Sequence, residues 1–217
     1  MMNTITYSKA EKHLVAVDCI IFGYDEGDLQ VLLFPRAIMP EQGCWSLMGG
    51  FVNLDESLES AAKRVLFNIT GFHDIRLDQV GAFSEPNRDS GERVISIAFS
   101  ALIRPNQHDK ELIREHGAQW WPINKLPKLI FDHEKMVEKA LLHLQALADS
   151  ELVGRDLLPE RFTLMQVRQL HEAIFRKPLD PGNFRKKALS MGVLNKLTIK
   201  NTSESKKGAF YYEFSQP

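Results

Sequence analysis

The sequence has few cysteines, no long apolar run and almost no net charge. Two of its 217 residues are cysteine, Cys19 and Cys44, which gives neither a disulfide framework nor a zinc-ligand spacing. We expect both to be reduced, with Cys19 a small core residue. No stretch approaches the roughly 18 apolar residues that a membrane helix needs, and residues 1–13 lack the apolar core of a signal peptide. These absences predict a cytoplasmic protein that does not bind membranes.

The net charge of −1 conceals an uneven distribution along the chain. Residues 1–150 carry 15 Lys and Arg against 21 Asp and Glu, whereas residues 151–217 carry 12 against 7. An acidic part followed by a small basic part is typical of a sensor joined to a nucleic-acid-binding domain, although a solvated basic face has the same composition. We therefore predict two domains, 1–150 and 151–217, with the boundary in ELVGRDLLPE.

The segment 50–72, GFVNLDESLESAAKRVLFNITGF, has the signals of a glycine loop that opens a helix. Asp55 or Ser57 is the candidate N-cap, and Gly71 lies just past the expected end. The apolar residues follow the spacing of one helical face that packs on a core, at Leu58, Ala62, Val65, Leu66 and Ile69.

This segment resembles the Nudix box, a loop and helix that hold the catalytic magnesium ions of Nudix hydrolases. The residues that match at the right spacing are Gly50, Glu56, Arg64, Leu66, Gly71 and Phe72, preceded by WSLMGGFV. Val65, Asn68 and Ile69 stand where the family has three glutamates, which lie on one side of the helix and bind metal. Valine and isoleucine cannot ligate a cation. We therefore expect a Nudix fold without hydrolase activity, catalytic residues, metal site or cofactor.

The remaining charged pair of the box has two interpretations. Glu56 and Arg64 can form a bidentate salt bridge that fixes the loop to the helix. Alternatively, Glu56 faces the cleft and binds a ligand hydroxyl. The two interpretations are compatible, and we include Glu56 and Asn68 among the candidate effector-binding residues.

The N-terminal part predicts a β-hairpin from LVAVDCIIF and LQVLLF, joined by the turn-rich GYDEGD. Asp18 interrupts the first strand, so its carboxylate needs a structural partner or lies in a pocket. Arg36 follows the second strand. Trp45, after the loop AIMPEQGCW, either stacks on a ligand ring near the cleft or belongs to the core.

After the box, IRLDQVGAFS and VISIAFSALI predict strands on either side of the polar loop EPNRDSGER. Nudix-related regulators pair a similar Arg-Asp loop with a following arginine, which makes Arg93 a candidate effector contact and Arg88 and Asp89 matching residues. The segment 132–148 predicts a helix that covers the sheet and leads to the next domain. His133 and His143 have no metal-ligand spacing and are predicted at the surface or between domains.

The last part predicts a winged helix-turn-helix. FTLMQVRQLHEAIF begins at the N-cap candidate Thr163, and PGNFRKKALSMG begins at Asp180 and Pro181. The second helix is the expected recognition helix, and two strand-like runs at 197–214 form the wing. The candidate DNA-binding residues are Asn183, Arg185, Lys186 and Lys187 in the helix and Lys206 and Lys207 in the wing.

The whole chain resembles the Nudix-domain transcriptional regulators of the NrtR and AraR type. The resemblance implies an α+β protein, a Nudix α/β/α sandwich with a mixed sheet followed by a small winged helix-turn-helix domain. It also implies a homodimer on a palindromic DNA operator, because one winged helix makes few contacts. A repressor released by its effector is the expected form of regulation.

The effector is expected to be a sugar such as L-arabinose, with ADP-ribose as the alternative. A neutral polyol needs only hydroxyl-pairing groups, whereas a diphosphate loses its usual cation when the glutamates are absent. Asp18, Glu56, Asn68 and Trp45 would suffice for a polyol, whereas Arg36 and Arg93 keep the ADP-ribose alternative open. These six are the candidate effector-binding residues, Asp18, Arg36, Trp45, Glu56, Asn68 and Arg93. A different alternative is an active hydrolase that takes its metal ligands from Glu59, Glu85 or Glu92. A winged helix used for protein contact is disfavoured by the basic run Arg185, Lys186 and Lys187 and by the wing lysines.

Overall fold

The computed structural model describes residues 11–25, 27–71, 75–105, 114–202 and 208–215. Seven strands form one mixed sheet in the order β3-β2-β1-β6-β5, with β4 paired to β1 and β7 paired to β2. β1 and β6 run parallel, and the other pairs are antiparallel. The strands are β1 Leu14–Asp25, β2 Asp28–Pro35, β3 Trp45–Ser46, β4 Met48–Phe51, β5 Asp78–Phe83, β6 Val94–Leu102 and β7 Gln119–Pro122.

The predicted hairpin is confirmed as β1 and β2, with Phe22 opposite Val31. Alternate residues of β1 are buried on opposite faces of the sheet, as the two-residue period of a strand requires. Cys19 and Ile21 lie in one apolar cluster, and Ile20 and Phe22 lie in the other. Cys19 is therefore a buried core residue, as expected.

One helix covers each face of this sheet. α1, Leu58–Thr70, buries Ala61, Ala62, Val65 and Leu66 against the first face. Ser57 is its N-cap, and Gly71 ends it in the left-handed conformation at φ 71°. α2, His133–Ser150, covers the opposite face. The predicted sandwich of helix, mixed sheet and helix is confirmed.

The C-terminal elements form the predicted winged helix. They are β8 Phe162–Thr163, α3 Leu164–Phe175, α4 Pro181–Ser190, β9 Leu194–Asn201 and β10 Ala209–Phe214, with the strands in the order β8-β10-β9. Thr163 and Gln166 make a reciprocal capping box at the start of α3. Asp180 caps α4, and Pro181 occupies its first turn.

The two parts of the chain share one apolar core. Leu144 and Ala148 of α2 belong to the same buried cluster as Leu158 of the connecting segment and Leu170 of α3. The end of α2 at Ser150 lies beside the boundary proposed from the sequence, which remains a prediction. Among the described helices, none combines the length and the apolar character that crossing a membrane requires.

A buried histidine joins the connecting segment to the winged helix. The His171 Nε2 atom lies 3.1 Å from the Val153 carbonyl oxygen, and the imidazole packs on the Phe184 ring at 5.2 Å. Burial is the largest influence on the pKa of His171 and lowers it to about 4. His171 is therefore neutral in the folded protein at neutral pH.

We predict that acid weakens the fold through His171. Because the folded pKa lies below the usual 6.5, the unfolded chain binds the proton at a higher pH than the folded chain does. The stability that the neutral His171 contributes is therefore intact above pH 6.5 and falls as pH approaches 4. The free energy of unfolding should drop by about 2 kcal/mol more between pH 7 and 5 than in His171→Gln. Urea titrations at both pH values check this. His143→Gln is the control at an exposed histidine, and an equal pH effect in His171→Gln and the unmodified chain would contradict it.

Candidate functional site: a cleft beside the altered box and an exposed basic helix

A cleft of about 680 Å³ opens between the loop after β2, the strand β4 and the start of α2. Its wall and floor combine apolar side chains with arginine, aspartate and histidine. Among the lining residues are Asp18, Arg36, Met48, Ile69, Arg88 and Phe131, and His133 completes the floor. The volume is within the range of small-molecule and cofactor pockets, roughly 300–1,000 Å³.

Asp18 is buried at the floor of this cleft on β1. Its Oδ2 accepts a hydrogen bond from the Ser96 hydroxyl at 2.5 Å. Gly49 lies directly opposite on β4, where an added Cβ would come within 2.3 Å of the Asp18 Oδ1 atom. A side chain at position 49 would therefore displace the Asp18 carboxylate, which has both a structural partner and a place in the cleft.

Arg88 supplies the positive charge beneath the cleft. Its Nε and Nη2 atoms donate to the Asp132 carboxylate at 3.0–3.1 Å and 2.6 Å, a bidentate pair. The Arg88 Nη2 atom also lies 3.8 Å from Asp18 Oδ2. Only 3% of the Arg88 side chain is exposed, so this guanidinium is held by two carboxylates in a site shielded from water.

His133 completes the buried network, and its predicted position was wrong. The Leu47 amide donates to His133 Nδ1 at 3.1 Å, so the neutral ring carries its proton on Nε2, 3.8 Å from Asp18 Oδ1. Burial lowers the pKa of His133 and favours that neutral form. His143 is exposed, as predicted. The helical spacing indicates the inward position, because His133, Met136 and Val137 share one face.

Arg36 and Phe131 form an adjacent wall of the cleft. The Arg36 Nε atom donates to the carbonyl oxygens of Ile38 at 3.0 Å and Pro40 at 2.6 Å. The Arg36 guanidinium carbon lies 5.0 Å from the centre of the Phe131 ring, a cation–π contact. Phe131 has φ 49°, which is unusual for a residue with a side chain and depends on the surrounding contacts.

The retained charges of the box form a salt bridge outside the cleft lining. Arg64 donates through Nε to Glu56 Oε2 at 2.9 Å and through Nη2 to Glu56 Oε1, and also to the Phe51 carbonyl oxygen at 2.9 Å. The Asn53 amide donates to Glu56 Oε1 at 2.7 Å. The Arg64 hydrogen bonds, followed by the Asn53 amide, lower the pKa of Glu56 to about 2. The pair fixes the loop to α1, which was the structural interpretation.

The three substituted positions of the box present no carboxylate to the cleft. Val65 is buried, and its Cγ2 atom would lie 2.9 Å from a Cβ placed on Gly50. Asn68 is exposed and does not line the cleft, whereas Ile69 does. Within the described ranges, no group of three or more His, Cys, Asp or Glu is placed to hold a metal ion.

The structure brings two of the six predicted effector-binding residues, Asp18 and Arg36, into the cleft. Trp45 does not line the cleft. It is half-buried and packs edge-on against Trp121, with ring centroids 5.5 Å apart, against the apolar cluster that α2 covers, which agrees with the core alternative left open above. Arg93 donates to the Glu85 carbonyl oxygen at 3.1 Å and does not line the cleft. The sequence interpretation missed Phe131 and Asp132, which stand just before α2.

α4 presents its predicted DNA-binding side chains to solvent. Phe184 and Ala188 are buried on its inner face, whereas Leu189 is 40% exposed. Four residues lie on exposed positions of the helix, Asn183, Arg185, Lys186 and Lys187. Lys206 and Lys207 lie outside the described residues. The described part of the wing carries two further lysines that were not predicted, Lys196 and Lys200. Their Nζ atoms lie 3.6 and 4.8 Å from the centre of the Phe210 ring.

Two protein-family descriptions match the chain. The NUDIX domain matches residues 12–140, and the NrtR DNA-binding winged helix domain matches residues 154–214. The ADPR responsive transcriptional repressor NtrR of Acinetobacter baylyi is 29% identical over 206 residues, 93% of this chain and 82% of that protein. The ADP-ribose pyrophosphatase of Methanocaldococcus jannaschii is 37% identical over 129 residues, 57% of this chain and 70% of that protein.

A solved relative covers both domains. The crystal structure of Shewanella oneidensis NrtR complexed with a 27mer DNA has a TM-score of 0.81, with 29% identity over 93% of each chain. The cocrystal structure of its NUDIX domain with ADP ribose has a TM-score of 0.53, with 26% identity over 65% of this chain and 94% of that domain. The fold inferred from the sequence, a Nudix domain followed by a winged helix DNA-binding domain, is confirmed by these similarities.

We predict that the Glu56–Arg64 pair makes a pH-dependent contribution to stability. Since the folded pKa of Glu56 is depressed to about 2, the contribution is complete above pH 4.5 and is lost as pH falls towards 2. Glu56→Gln should lower the urea midpoint at pH 7, and the difference from the unmodified chain should shrink at pH 3. Glu92→Gln is the control at an exposed loop carboxylate. A difference that stays constant between the two pH values would contradict this assignment.

Proposed function

The chain belongs to the Nudix family and carries an NrtR-type winged helix DNA-binding domain, and on that premise we propose that it is a transcriptional repressor responsive to ADP-ribose. DNA binds to α4 and the wing, and the effector binds in the Nudix cleft. The observation that carries this proposal is similarity over both domains, 93% of each chain, to a regulator solved on DNA.

The properties of α4 support the DNA-binding half of the proposal. Its N-terminal half exposes Asn183 and Arg185, which have the donors and acceptors to contact adenine and guanine edges. Lys186 and Lys187 are suited to phosphates. The inner face is fixed by Phe184 and Ala188, so the exposed face has a defined orientation. Such a helix specifies a short site, which favours a homodimer on a palindromic operator.

The comparisons favour ADP-ribose over the sugar effector that the sequence suggested. The sugar interpretation rested on the missing glutamates. The similar repressor of Acinetobacter baylyi is described as ADPR responsive and the similar NUDIX domain was solved with ADP ribose, and neither supports L-arabinose or a role in carbohydrate metabolism. Several features of the cleft also fit a nucleotide. Arg36 supplies a cation for a diphosphate, and Phe131 supplies an aromatic face. The Asp18 carboxylate, which was expected to accept a ligand hydroxyl, already accepts the Ser96 hydroxyl. It also lies 3.8 Å from both Arg88 Nη2 and His133 Nε2.

We propose further that this domain binds ADP-ribose without hydrolysing it. The similarity to an ADP-ribose pyrophosphatase covers the Nudix part and raises the hydrolase alternative. That alternative needs replacement metal ligands from Glu59, Glu85 or Glu92. None of these three carboxylates lines the cleft, and Ile69 faces it from the altered box.

We predict that ADP-ribose, without magnesium, raises the unfolding midpoint, because a ligand bound only by the native state stabilises it by about 2.7 kcal/mol at 100 times its Kd. Arg36→Met should weaken ADP-ribose binding at least about tenfold, since each 1.4 kcal/mol of lost charge-assisted contact is tenfold in affinity. Thermal shift and calorimetric titration measure both effects. Arg76→Met, at an exposed arginine outside the cleft, should bind normally. A shift with L-arabinose and none with ADP-ribose would contradict the proposed effector.

We predict that DNA binding depends on α4. A duplex selected by the unmodified protein from a random library serves as the probe, with fluorescence anisotropy as the readout. The double variant Arg185→Ala, Lys186→Ala should bind it at least about 100-fold more weakly, since a bidentate base contact contributes about 1–3 kcal/mol and a phosphate contact adds to it. Lys125→Ala, Lys128→Ala removes the same charge from exposed positions of the Nudix domain and should change affinity little. An equal loss of DNA affinity in the two double variants would contradict the assignment of DNA binding to α4.

A further inference from the structure

α2 has one end in the cleft and the other end against the winged helix. Phe131 and His133, at its start, line the cleft. Near its end, Gln145 Nε2 donates to the Ile174 carbonyl oxygen of α3 at 2.9 Å, and Asp149 Oδ1 lies 3.9 Å from Lys187 Nζ of α4. The helix is continuous over 18 residues, a length of about 27 Å.

The first end of α2 is held by cleft residues rather than by its own cap. Asp132 occupies the N-cap position but makes no side-chain capping bond, because its carboxylate is paired with Arg88. His133 Nδ1 accepts a hydrogen bond from the Leu47 amide, and Phe131 has a left-handed backbone with φ 49°. A change of contacts at the cleft therefore acts directly on the backbone where α2 begins.

The other end of α2 packs against α3. Leu144 and Ala148 are 4% and 0% exposed and share a cluster with Leu170 and Ile174, which are fully buried. Close-packed interfaces move between discrete arrangements instead of deforming continuously. α3 ends at Phe175, and α4 begins six residues later at Pro181. A displacement of α2 is thus passed to the element that supports the recognition helix.

We propose that α2 transmits occupancy of the cleft to the DNA-binding domain, with the Arg88–Asp132 pair fixing its first end and Gln145 joining its second end to α3. This inference rests on the proposed function, in which one ligand in the cleft alters DNA affinity. Asp132 and Gln145 are positioning residues in this mechanism. Their removal changes the coupling between the two ligands, which is a quantity separate from either affinity.

The test measures the coupling factor, the ratio of the DNA Kd with saturating ADP-ribose to the DNA Kd without it. The full-length protein, the selected duplex and ADP-ribose are used, and the ADP-ribose Kd is measured separately. Gln145→Met keeps an unbranched side chain and removes the donor to Ile174. We expect its coupling factor to fall at least about fivefold, against a typical total of 5–150-fold, while the ADP-ribose Kd stays within about threefold.

Asp132→Asn tests the first end of α2 and should also lower the coupling factor. Glu138→Gln is the matched control, because it makes a similar acid-to-amide change at an exposed position of the same helix. Wild-type coupling in both Gln145→Met and Asp132→Asn would overturn the inference. If Asp132→Asn does not fold, as judged by its unfolding transition, Gln145→Met alone decides. Absence of any ADP-ribose effect in the unmodified protein would instead overturn the proposed function, and this inference with it.

Discussion

The buried pair between Arg88 and Asp132 is the interaction on which the cleft depends. It joins the loop after β5 to the start of α2 across 44 residues of sequence, and it places a guanidinium beneath the cleft. Removing one partner of such a pair leaves an uncompensated buried charge, at a cost of about 3–5 kcal/mol. Asp18 lies 3.8 Å from both Arg88 and His133, so the charged and polar side chains at the floor of the cleft interact with one another.

The same constraint relates the two domains. Because Arg88 holds the start of α2, the position of that helix is set at the cleft, and its far end is buried against the winged helix. In a Nudix hydrolase, the corresponding site is built around metal-binding carboxylates on the box helix. Here Val65 and Ile69 are apolar, and the retained Glu56 and Arg64 fix the loop. The geometry keeps a cleft and a helix that extends from it to the winged helix.

Local signals predicted most of the fold. Ser57 and Gly71 mark the ends of α1, and Thr163, Asp180 and Pro181 mark the helices of the winged domain, because caps depend on residues adjacent in sequence. The cleft was predicted less well, because contacts between distant segments define it. Trp45 lies in a two-residue strand, too short for alternation to indicate its face.

Two further differences have a physical explanation. His133 was predicted at the surface or between domains because it had no metal-binding partner, but its helical phase places it on the buried face. Arg93 and Asn68 were chosen for their chemistry, and neither side chain lines the cleft. The preference for a sugar followed from the loss of metal ligands and from the hydroxyl-pairing groups that a polyol needs. A guanidinium such as that of Arg36 can, however, contact a diphosphate directly.

The most direct test of the account adds ADP-ribose to the preformed complex with the selected duplex and follows DNA release and the nucleotide in the same sample. We predict that the anisotropy falls to that of free DNA while ADP-ribose, resolved by chromatography, remains intact with magnesium present. Retained DNA would contradict the proposed receptor, and conversion of ADP-ribose to AMP and ribose 5-phosphate would show that the altered box still supports hydrolysis.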